Sequence, residues 1–480
     1  MRLDPDTCYQ TLLARDRRFD GWFFVGVSST GIYCRPVCPV RTPKRENCHF
    51  FVSAAAAEKA GFRPCLRCRP ELAPGNGLLD LSAQLARSAA TLIEEGFLNS
   101  AGIPELAARV GVTDRHLRRI FDAEYRVSIV EYAQTQRLLM AKRLLTDTRL
   151  PITRIALAAG FGSVRRFNDL FLKKYGLNPQ RFRKTTDANP PDTLCFALGY
   201  RPPFSWSGMQ SFFRQRQISG VEAVSDDRYS RVIEINKGEQ SVVGWISVTN
   251  DPLRFAINVT MPVAVIPVLA EVLARVRRMF DLSARPDLID ERLGELAIEH
   301  PGMRVPGALD GFEIAVRAIV GQHASVPDSR KILSRIAERF GTTTTAPYGL
   351  TRTFPGAATF SRLPVATLQQ TGITRARAEA IVALAGEVAS RRIMLEPAAP
   401  LEPTLHALRR IRGLGEWTVQ YIAMRSLGWP NAFPEGDAVL KKQLGYSSAS
   451  ALNRHAEQWQ PWRAYAALHM WRRHEDQCRC

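Results

Sequence analysis

The sequence predicts a multidomain protein that is mainly α-helical, with α+β parts. The length of 480 residues is about three times the usual size of one domain. Stretches rich in Pro, Gly and polar residues, at 70–77 and 184–191, have the composition of linkers. Strand-like alternation is found within 192–260, for example at 229–235 and 242–248, whereas helical periodicity dominates after about 80 and again after about 262.

These patterns predict four domains in order along the chain. A cysteine-rich module occupies 1–73, and a helical domain follows at 80–184. A mixed sheet-helix domain is expected at 192–275 and an all-α domain at 276–480.

The charge and the cysteine count limit the kind of protein this is. Residues 1–184 hold 30 Lys and Arg against 17 Asp and Glu, or +13, and the remainder hold 35 against 29, or +6. Positive charge concentrated in one region favours a polyanionic partner, although a merely basic soluble protein is the alternative. No secretory signal and no run of about 18 apolar residues is present, so we expect a cytoplasmic protein without a membrane partner. Nine cysteines, an odd number, favour metal binding or reactive thiols over disulfides.

Four cysteines near the N-terminus have the spacing of a zinc site. They are Cys34, Cys38, Cys65 and Cys68. Four thiolates spaced C-x3-C and C-x2-C can enclose one zinc ion, which predicts a small zinc module. A thiolate on zinc is also a nucleophile, so the cluster is either a structural clamp or a reactive centre. The neighbouring Cys48-His49 pair offers competing ligands.

An internal repeat marks residues 103–175. The apolar pattern that begins at Ile103 returns at Ile152, 49 residues later, with a glycine turn in each copy. Two apolar-faced helices around such a turn are typical of a helix-turn-helix unit, although a plain helical bundle is the alternative. The polar faces of the second helices carry the candidate DNA-binding residues Arg115, Arg118, Arg119, Arg165, Arg166 and Asn168. Such side chains can reach base edges or phosphates.

Both N-terminal regions resemble known families. Residues 80–184 are similar to the double helix-turn-helix domain of AraC-family activators, most closely from Ile155-Ala156 through Gly160-Phe161 to Pro179. Residues 1–72 resemble the N-terminal domain of Ada methylation-response proteins, on the segments 30–38 and 61–68. The Ada resemblance implies that Cys34 accepts a methyl group from a DNA methylphosphotriester. Losing one negative charge there would strengthen DNA binding and switch the adjacent reader on.

A second constellation lies in the C-terminal half. Gly413 and Gly415 precede an apolar-faced helix, with Thr418 in its first turn, and such a helix start can approach a phosphate. Asp437 precedes the next predicted helix, where an ordinary N-cap is the alternative.

This constellation resembles the helix-hairpin-helix DNA glycosylases. Residues 192–474 are similar to the AlkA-type branch, the 3-methyladenine DNA glycosylases, on segments such as 200–204, 312–322 and 461–471. The resemblance implies an all-α helix-hairpin-helix glycosylase core in which Asp437 is catalytic and Gly413, Gly415 and Thr418 contact DNA. It implies a base pocket made of Trp417, Tyr421, Trp471 and Phe212. His323 takes the position of the family's intercalating wedge, which is usually apolar.

The chemistry of alkylated bases agrees with this set of residues. A base alkylated on a ring nitrogen is a good leaving group, and a carboxylate stabilises the oxocarbenium-like sugar that it leaves. Aromatic rings attract the flipped, cationic base by about 0.5–2 kcal/mol per contact. Trp417 stands where bifunctional lyases of the superfamily carry lysine, which implies a monofunctional hydrolase with no organic cofactor.

We therefore predict an alkylation-damage response protein, cytoplasmic and nucleoid-associated. It would release 3-methyladenine-type bases from DNA and accept methyl on a zinc thiolate to activate transcription. Its partners would be alkylated double-stranded DNA, promoter DNA and RNA polymerase. One alternative is a methylation-sensing regulator whose C-terminal half binds lesions without catalysis. The other is a repair enzyme whose N-terminal half only tethers it to DNA.

Overall fold

The computed structural model describes residues 4–73, 81–182, 192–237, 240–322 and 324–477. It confirms the predicted fold class, a mainly helical multidomain chain with two small sheets. Within these residues, no helix is both long enough and apolar enough to cross a membrane.

The N-terminal part is built on a four-stranded sheet. Its elements are α1 (Pro5–Ala14), β1 (Phe24–Val27), β2 (Ile32–Cys34), β3 (Cys48–Phe51), α2 (Ala54–Lys59) and β4 (Arg63–Pro64). The strand order is β3-β1-β2-β4, and only the β2–β4 pair is parallel. Because β2 ends at Cys34 and β4 leads into Cys65, this parallel pair brings together cysteines that are distant in sequence.

Seven helices follow the first sheet. They are α3 (Leu81–Glu94), α4 (Ile103–Val110), α5 (Asp114–Tyr125), α6 (Ile129–Asp147), α7 (Ile152–Ala158), α8 (Val164–Tyr175) and α9 (Pro179–Phe182). The sequence repeat forms two helix-turn-helix units, α4–α5 and α7–α8, with α6 between them. Gly111 and Gly160 lie in the two turns at φ of +85° and +86°, which favours glycine. Thr113 and Ser163, which precede the second helices, cap them by accepting backbone N–H groups.

The C-terminal half begins with a five-stranded antiparallel sheet in the order β5-β9-β8-β7-β6. Its elements are β5 (Thr193–Gly199), α10 (Trp206–Arg216), β6 (Glu222–Val224), β7 (Arg228–Lys237), β8 (Gln240–Asp251) and β9 (Ala256–Pro262). The helices of the core are α11 (Leu269–Met279), α12 (Pro286–Leu293), α13 (Gly311–Gly321), α14 (Val326–Phe340), α15 (Ala357–Phe360), α16 (Val365–Gln369), α17 (Arg375–Ala389), α18 (Leu401–Arg409), α19 (Glu416–Arg425), α20 (Ala438–Leu444), α21 (Ala449–Ala456) and α22 (Arg463–Gln477).

A buried ion network fastens this sheet to the helical core. Arg231 of β7 donates to Glu313 of α13 at 2.6 Å, and Arg317 of α13 donates to Glu313 at 2.7 Å and to Glu222 of β6 at 2.6 Å. Burial raises the pKa of Glu313, but the two guanidiniums outweigh this effect and lower the pKa to about 2. The carboxylate is therefore charged at neutral pH, and each partner would be left uncompensated if another were removed.

The two halves of the chain pack against each other. One apolar cluster extends from α7 and α8 into β5, β8 and β9. Glu95, just after α3, forms an ion pair with Arg278 of α11. The guanidinium of Arg285 lies 3.9 Å from the centroid of the Trp22 ring, so the first module also contacts the C-terminal half.

Glu58 of α2 is buried where the first module meets α6. Its two carboxylate oxygens accept hydrogen bonds from the hydroxyls of Tyr33, at 3.0 Å, and Thr135, at 3.2 Å. Burial raises the pKa of Glu58 from its usual 4.5 to about 7.

We expect Glu58→Gln to stabilise the protein at pH 8 and to flatten its stability between pH 4.5 and 7. The folded state holds this proton more tightly than the unfolded state, so the contribution is present below pH 4.5 and lost as pH rises through 7. The loss is on the order of 3 kcal/mol. Unfolding midpoints measured across this pH range test it, with Glu46→Gln as control, because the Glu46 side chain is 72% exposed. Parallel curves for wild type and Glu58→Gln would contradict the prediction.

Candidate functional site

The four predicted zinc ligands form one buried cluster. The sulfur atoms of Cys34, Cys38, Cys65 and Cys68 all lie within 4.8 Å of one another, and each residue is at most 7% exposed. Four soft donors at this separation fit the tetrahedral thiolate site of one zinc ion. Cys48 lies elsewhere, in the apolar core of the module, and its thiol donates to the carbonyl of Lys44. In the described part of the chain, the Cys48-His49 pair is therefore separate from the cluster.

Arg35 forms hydrogen bonds to Cys68 of the cluster from the interior of the protein. Its guanidinium pairs with Asp20 and donates to the carbonyl of Cys68 at 3.1 Å, and its backbone N–H donates to the Cys68 sulfur at 3.3 Å. Arg35 is thus engaged internally, whereas the nearby Arg41 and Arg67 are exposed. Those two side chains are available to an external anion.

The cluster also contacts α6, the helix between the two helix-turn-helix units. Lys142 of α6 is 1% exposed, pairs with Glu71 at 2.9 Å and donates to the carbonyl of Cys65 at 3.4 Å. Burial raises the pKa of Glu71, but Lys142 and Arg69 lower it below its usual value. This link was not predictable from the sequence, because a lysine in a helix is normally a solvated side chain.

The predicted DNA-reading residues lie on α5 and α8. Arg115, Arg118, Arg119, Arg165 and Arg166 are exposed, and Asn168 is half-buried. Arg118 pairs with Asp114 one turn away, at 2.7 Å and in solvent, where such pairs contribute little. The arginines therefore remain accessible to a polyanion.

The hairpin before α19 places its glycines as a close backbone approach requires. Gly413 has a φ of +96°, and a Cβ there would lie 3.1 Å from the Cβ of Ala380. Gly415 is the N-cap of α19. Thr418 is 1% exposed, and its hydroxyl accepts a hydrogen bond from Gln322 at 2.6 Å. A contact of Thr418 with DNA would therefore use its backbone N–H in the first turn. His323 lies outside the described residues.

Asp437 is held by three N–H donors. One carboxylate oxygen accepts from the backbone of Val439 at 2.9 Å and of Leu440 at 3.0 Å, so Asp437 is the N-cap of α20. The other oxygen accepts from the indole N–H of Trp417 at 2.8 Å. The residue is 9% exposed and borders a cavity of about 450 Å³. The carboxylate therefore has a fixed orientation at the edge of an enclosed space.

Aromatic rings form one wall of this cavity. The rings of Trp417 and Tyr421 stack at 5.1 Å and 15°, and that of Trp471 lies 6.2 Å from Tyr421. Arg425 donates to the Tyr421 hydroxyl at 2.8 Å. Burial raises the pKa of Tyr421, yet the charge of Arg425 outweighs this and lowers the pKa overall. Aromatic rings thus line the cavity beside the carboxylate, and the edge of the Trp417 indole, through its N–H, contacts Asp437.

Phe212 also borders the cavity, but two guanidiniums cover it. Arg216 lies 4.1 Å and Arg425 4.8 Å from the centroid of the Phe212 ring. Next to them, Gln215, His474 and Glu475 complete a polar wall formed by α10 and α22. Sequence reasoning missed this wall. The i, i+4 spacing of Phe212 with Arg216 and of Trp471 with Glu475 was the one local signal that these side chains share a helix face.

The fold and the two sites define a class of protein, in which a zinc module and a helix-turn-helix domain are fused to a helix-hairpin-helix glycosylase fold. Family models match the metal-binding domain of Ada at residues 7–71, a helix-turn-helix domain at 106–185 and the AlkA N-terminal domain at 195–310. The probable bifunctional transcriptional activator/DNA repair enzyme AlkA of Mycobacterium tuberculosis is 34% identical over 98% of this chain and 97% of its own length. The chain belongs to this family of AlkA-type bifunctional transcriptional activators and DNA repair enzymes.

Two further relatives correspond to the C-terminal half. DNA-3-methyladenine glycosylase 2 of Escherichia coli is 32% identical over 58% of this chain and 96% of its own length. The structure of a 3-methyladenine DNA glycosylase from Archaeoglobus fulgidus shares the fold, with a TM-score of 0.50 and 20% identity. That match covers 57% of this chain and 96% of that chain.

We expect the purified protein to hold one zinc ion per chain and Cys38→Ser to reduce this content to well below one. Loss of the ion should also lower the unfolding temperature, because a structural zinc site contributes folding free energy directly. Metal analysis and thermal unfolding test both effects. Cys48→Ser removes another buried thiol of the same module and should keep its zinc. Loss of zinc from both variants would contradict the assignment of the ligands.

Proposed function

We propose that this chain is an alkylation-damage response protein with a repair half and a regulatory half. Residues 192–275 and 276–480 would release alkylated bases of the 3-methyladenine type from double-stranded DNA. Residues 1–73 would accept methyl from DNA methylphosphotriesters, and residues 80–184 would bind promoter DNA and recruit RNA polymerase. Family membership supports both halves. Because both activities act on DNA, the protein would lie with the DNA in the cytoplasm.

The proposed repair activity rests on the position of Asp437, which is held beside the aromatic wall. Base release leaves an oxocarbenium-like sugar, whose positive charge the nearby carboxylate stabilises. The indole N–H of Trp417 and the start of α20 hold this carboxylate, so little reorganisation is needed as charge develops. Trp417 and Tyr421 receive the flipped base on their ring faces.

Water completes the reaction. Asp437 orients a water molecule, or takes its proton, as the oxygen attacks the sugar carbon from which the base has departed. The hairpin with Gly413 and Gly415 holds a backbone phosphate of the DNA against the start of α19. The resulting activity is hydrolysis of the N-glycosidic bond without a covalent intermediate.

We expect Asp437→Asn to lower base release from methylated duplex DNA at least 100-fold while DNA affinity changes less than about threefold. The amide still caps α20 but carries no charge to stabilise the cationic sugar. Chromatography of released bases and a DNA-binding titration measure the two quantities.

Asp310→Asn is a matched control, because Asp310 is the N-cap of α13 and does not border the cavity. Release at the wild-type rate by Asp437→Asn would exclude the proposed role. If the wild type released no base but bound lesions, the alternative of a non-catalytic regulator would be favoured.

In the regulatory half, Cys34 is the proposed methyl acceptor. Backbone N–H groups of Val40, Cys68 and Arg35 face the other three sulfurs, those of Cys38, Cys65 and Cys68. These three N–H groups do not engage Cys34, so they do not reduce the nucleophilicity of its thiolate. Bound zinc keeps the thiol deprotonated.

The proposed methyl transfer conserves atoms and charge. The Cys34 sulfur bonds to the methyl carbon, the carbon–oxygen bond of the triester breaks, and a phosphodiester anion leaves. The thiolate becomes a thioether, and the cluster loses one negative charge. Weaker repulsion of DNA phosphates then strengthens binding by the adjacent arginines.

We expect Cys34→Ser to abolish methyl incorporation from methylphosphotriester DNA and to remove alkylation-dependent activation of a reporter. Labelled methyl in the protein and reporter transcripts are the measurements. Cys195→Ser removes an exposed cysteine outside the cluster and should change neither. Activation that persists in Cys34→Ser would exclude the switch. Reporter activity that never responds to alkylation in the wild type would favour an N-terminal half that only tethers the enzyme.

A further inference from the structure

The cavity beside Asp437 has a polar wall that the proposed reaction does not use. Glu475 of α22 accepts hydrogen bonds from Arg216 at 3.3 Å and from Gln215 at 3.1 Å, both on α10. The Glu475 side chain is 23% exposed. Two long bonds leave carboxylate lone pairs open to a ligand, since a carboxylate can accept about four hydrogen bonds.

The helices that form this wall also carry aromatic residues of the cavity. Trp471 and Glu475 are one turn apart on α22, and Phe212 and Arg216 are one turn apart on α10. All four side chains border the cavity that Asp437 borders. A base that lies against the aromatic rings therefore presents one of its edges to Glu475 and Arg216.

The two walls recognise different properties of a base. Stacking on aromatic rings tolerates every base, because every base has a π-face. A carboxylate beside a guanidinium instead offers an acceptor next to a donor. Adenine has a matching edge, with an amine donor beside a ring-nitrogen acceptor, whereas the corresponding edge of guanine carries an oxygen acceptor and, in 7-methylguanine, a methylated ring nitrogen that accepts nothing.

We propose that Glu475 is a specificity residue, which accepts a hydrogen bond from the exocyclic amine of the flipped base and so favours methylated adenine over methylated guanine. This inference rests on the proposed glycosylase function. The oxygen of guanine at that edge would face the carboxylate without a proton between them. Such a mismatch is costly because buried polar groups are then left unpaired.

The test is competition between two lesions in one DNA sample. Duplex DNA treated with a methylating agent contains both 3-methyladenine and 7-methylguanine, and the initial rates of their release, each divided by the amount of that lesion, give the ratio of kcat/KM values. The two lesions differ in intrinsic lability, but this difference cancels when the ratio is compared between protein variants.

We expect Glu475→Gln to lower the ratio of 3-methyladenine to 7-methylguanine release by about tenfold, because an amide can rotate to donate to the guanine oxygen. Asp476→Asn is the matched control, since it removes a carboxylate from the next position of α22 that does not border the cavity. It should leave the ratio unchanged. Equal unfolding temperatures of the variants exclude a folding effect.

Two other outcomes would overturn the inference. If Glu475→Gln released both bases with the wild-type ratio, or slowed both equally, Glu475 would serve only as the partner of Arg216, and the proposed glycosylase would stand. If the wild type itself released neither base, the proposed function would fail together with the inference.

Discussion

The buried ion network of Arg231, Glu313, Arg317 and Glu222 is the constraint on which the cavity depends. It joins β6 and β7 to α13, and so fixes the sheet, with α10 beside it, against the helical core. The cavity lies at this junction, since α10 and α22 supply its polar wall and α19 its aromatic wall. A buried network of charges adds little net stability, but breaking it at one member is strongly destabilising. The junction therefore has one well-defined geometry.

The position of Asp437 is compatible with a structural role and with the proposed catalytic role at the same time. An aspartate before a helix is an ordinary N-cap, and one of its oxygens has that role here. The second oxygen is directed at Trp417 and the cavity. Capping restricts the carboxylate to one orientation, and this restriction is what electrostatic stabilisation of a developing cation requires.

Local sequence patterns predicted much of the fold and some of the site residues. The spacing of Cys34, Cys38, Cys65 and Cys68 was enough to predict the zinc site, because a structural zinc ion needs four donors. The repeat was enough to predict the helix-turn-helix units, because each unit repeats the same apolar face. The approach of α10 to α22 was not predictable, since their residues are about 260 positions apart and no local pattern links them. For the same reason Glu475 and Lys142 were missed. Thr418 was predicted at the hairpin, but burial of its side chain depends on Gln322, which is likewise distant in sequence.

The arginines that border the cavity affect which bases it would favour. A purely aromatic pocket would favour any cationic base, whatever its edges. Here the guanidiniums of Arg216 and Arg425 already lie over Phe212, so that ring has cationic partners within the protein. Arg425 also lies 5.4 Å from the centroid of the Tyr421 ring, so charge alone gives a cationic lesion less advantage at Phe212 and Tyr421 than at Trp417. Beside Arg216, selection between bases would depend on the direction of hydrogen bonds, because each buried donor or acceptor left unpaired costs free energy. In the proposed glycosylase, cationic character would thus be recognised mainly at Trp417 and the edge pattern beside Arg216, and a base would have to satisfy both to be held beside Asp437.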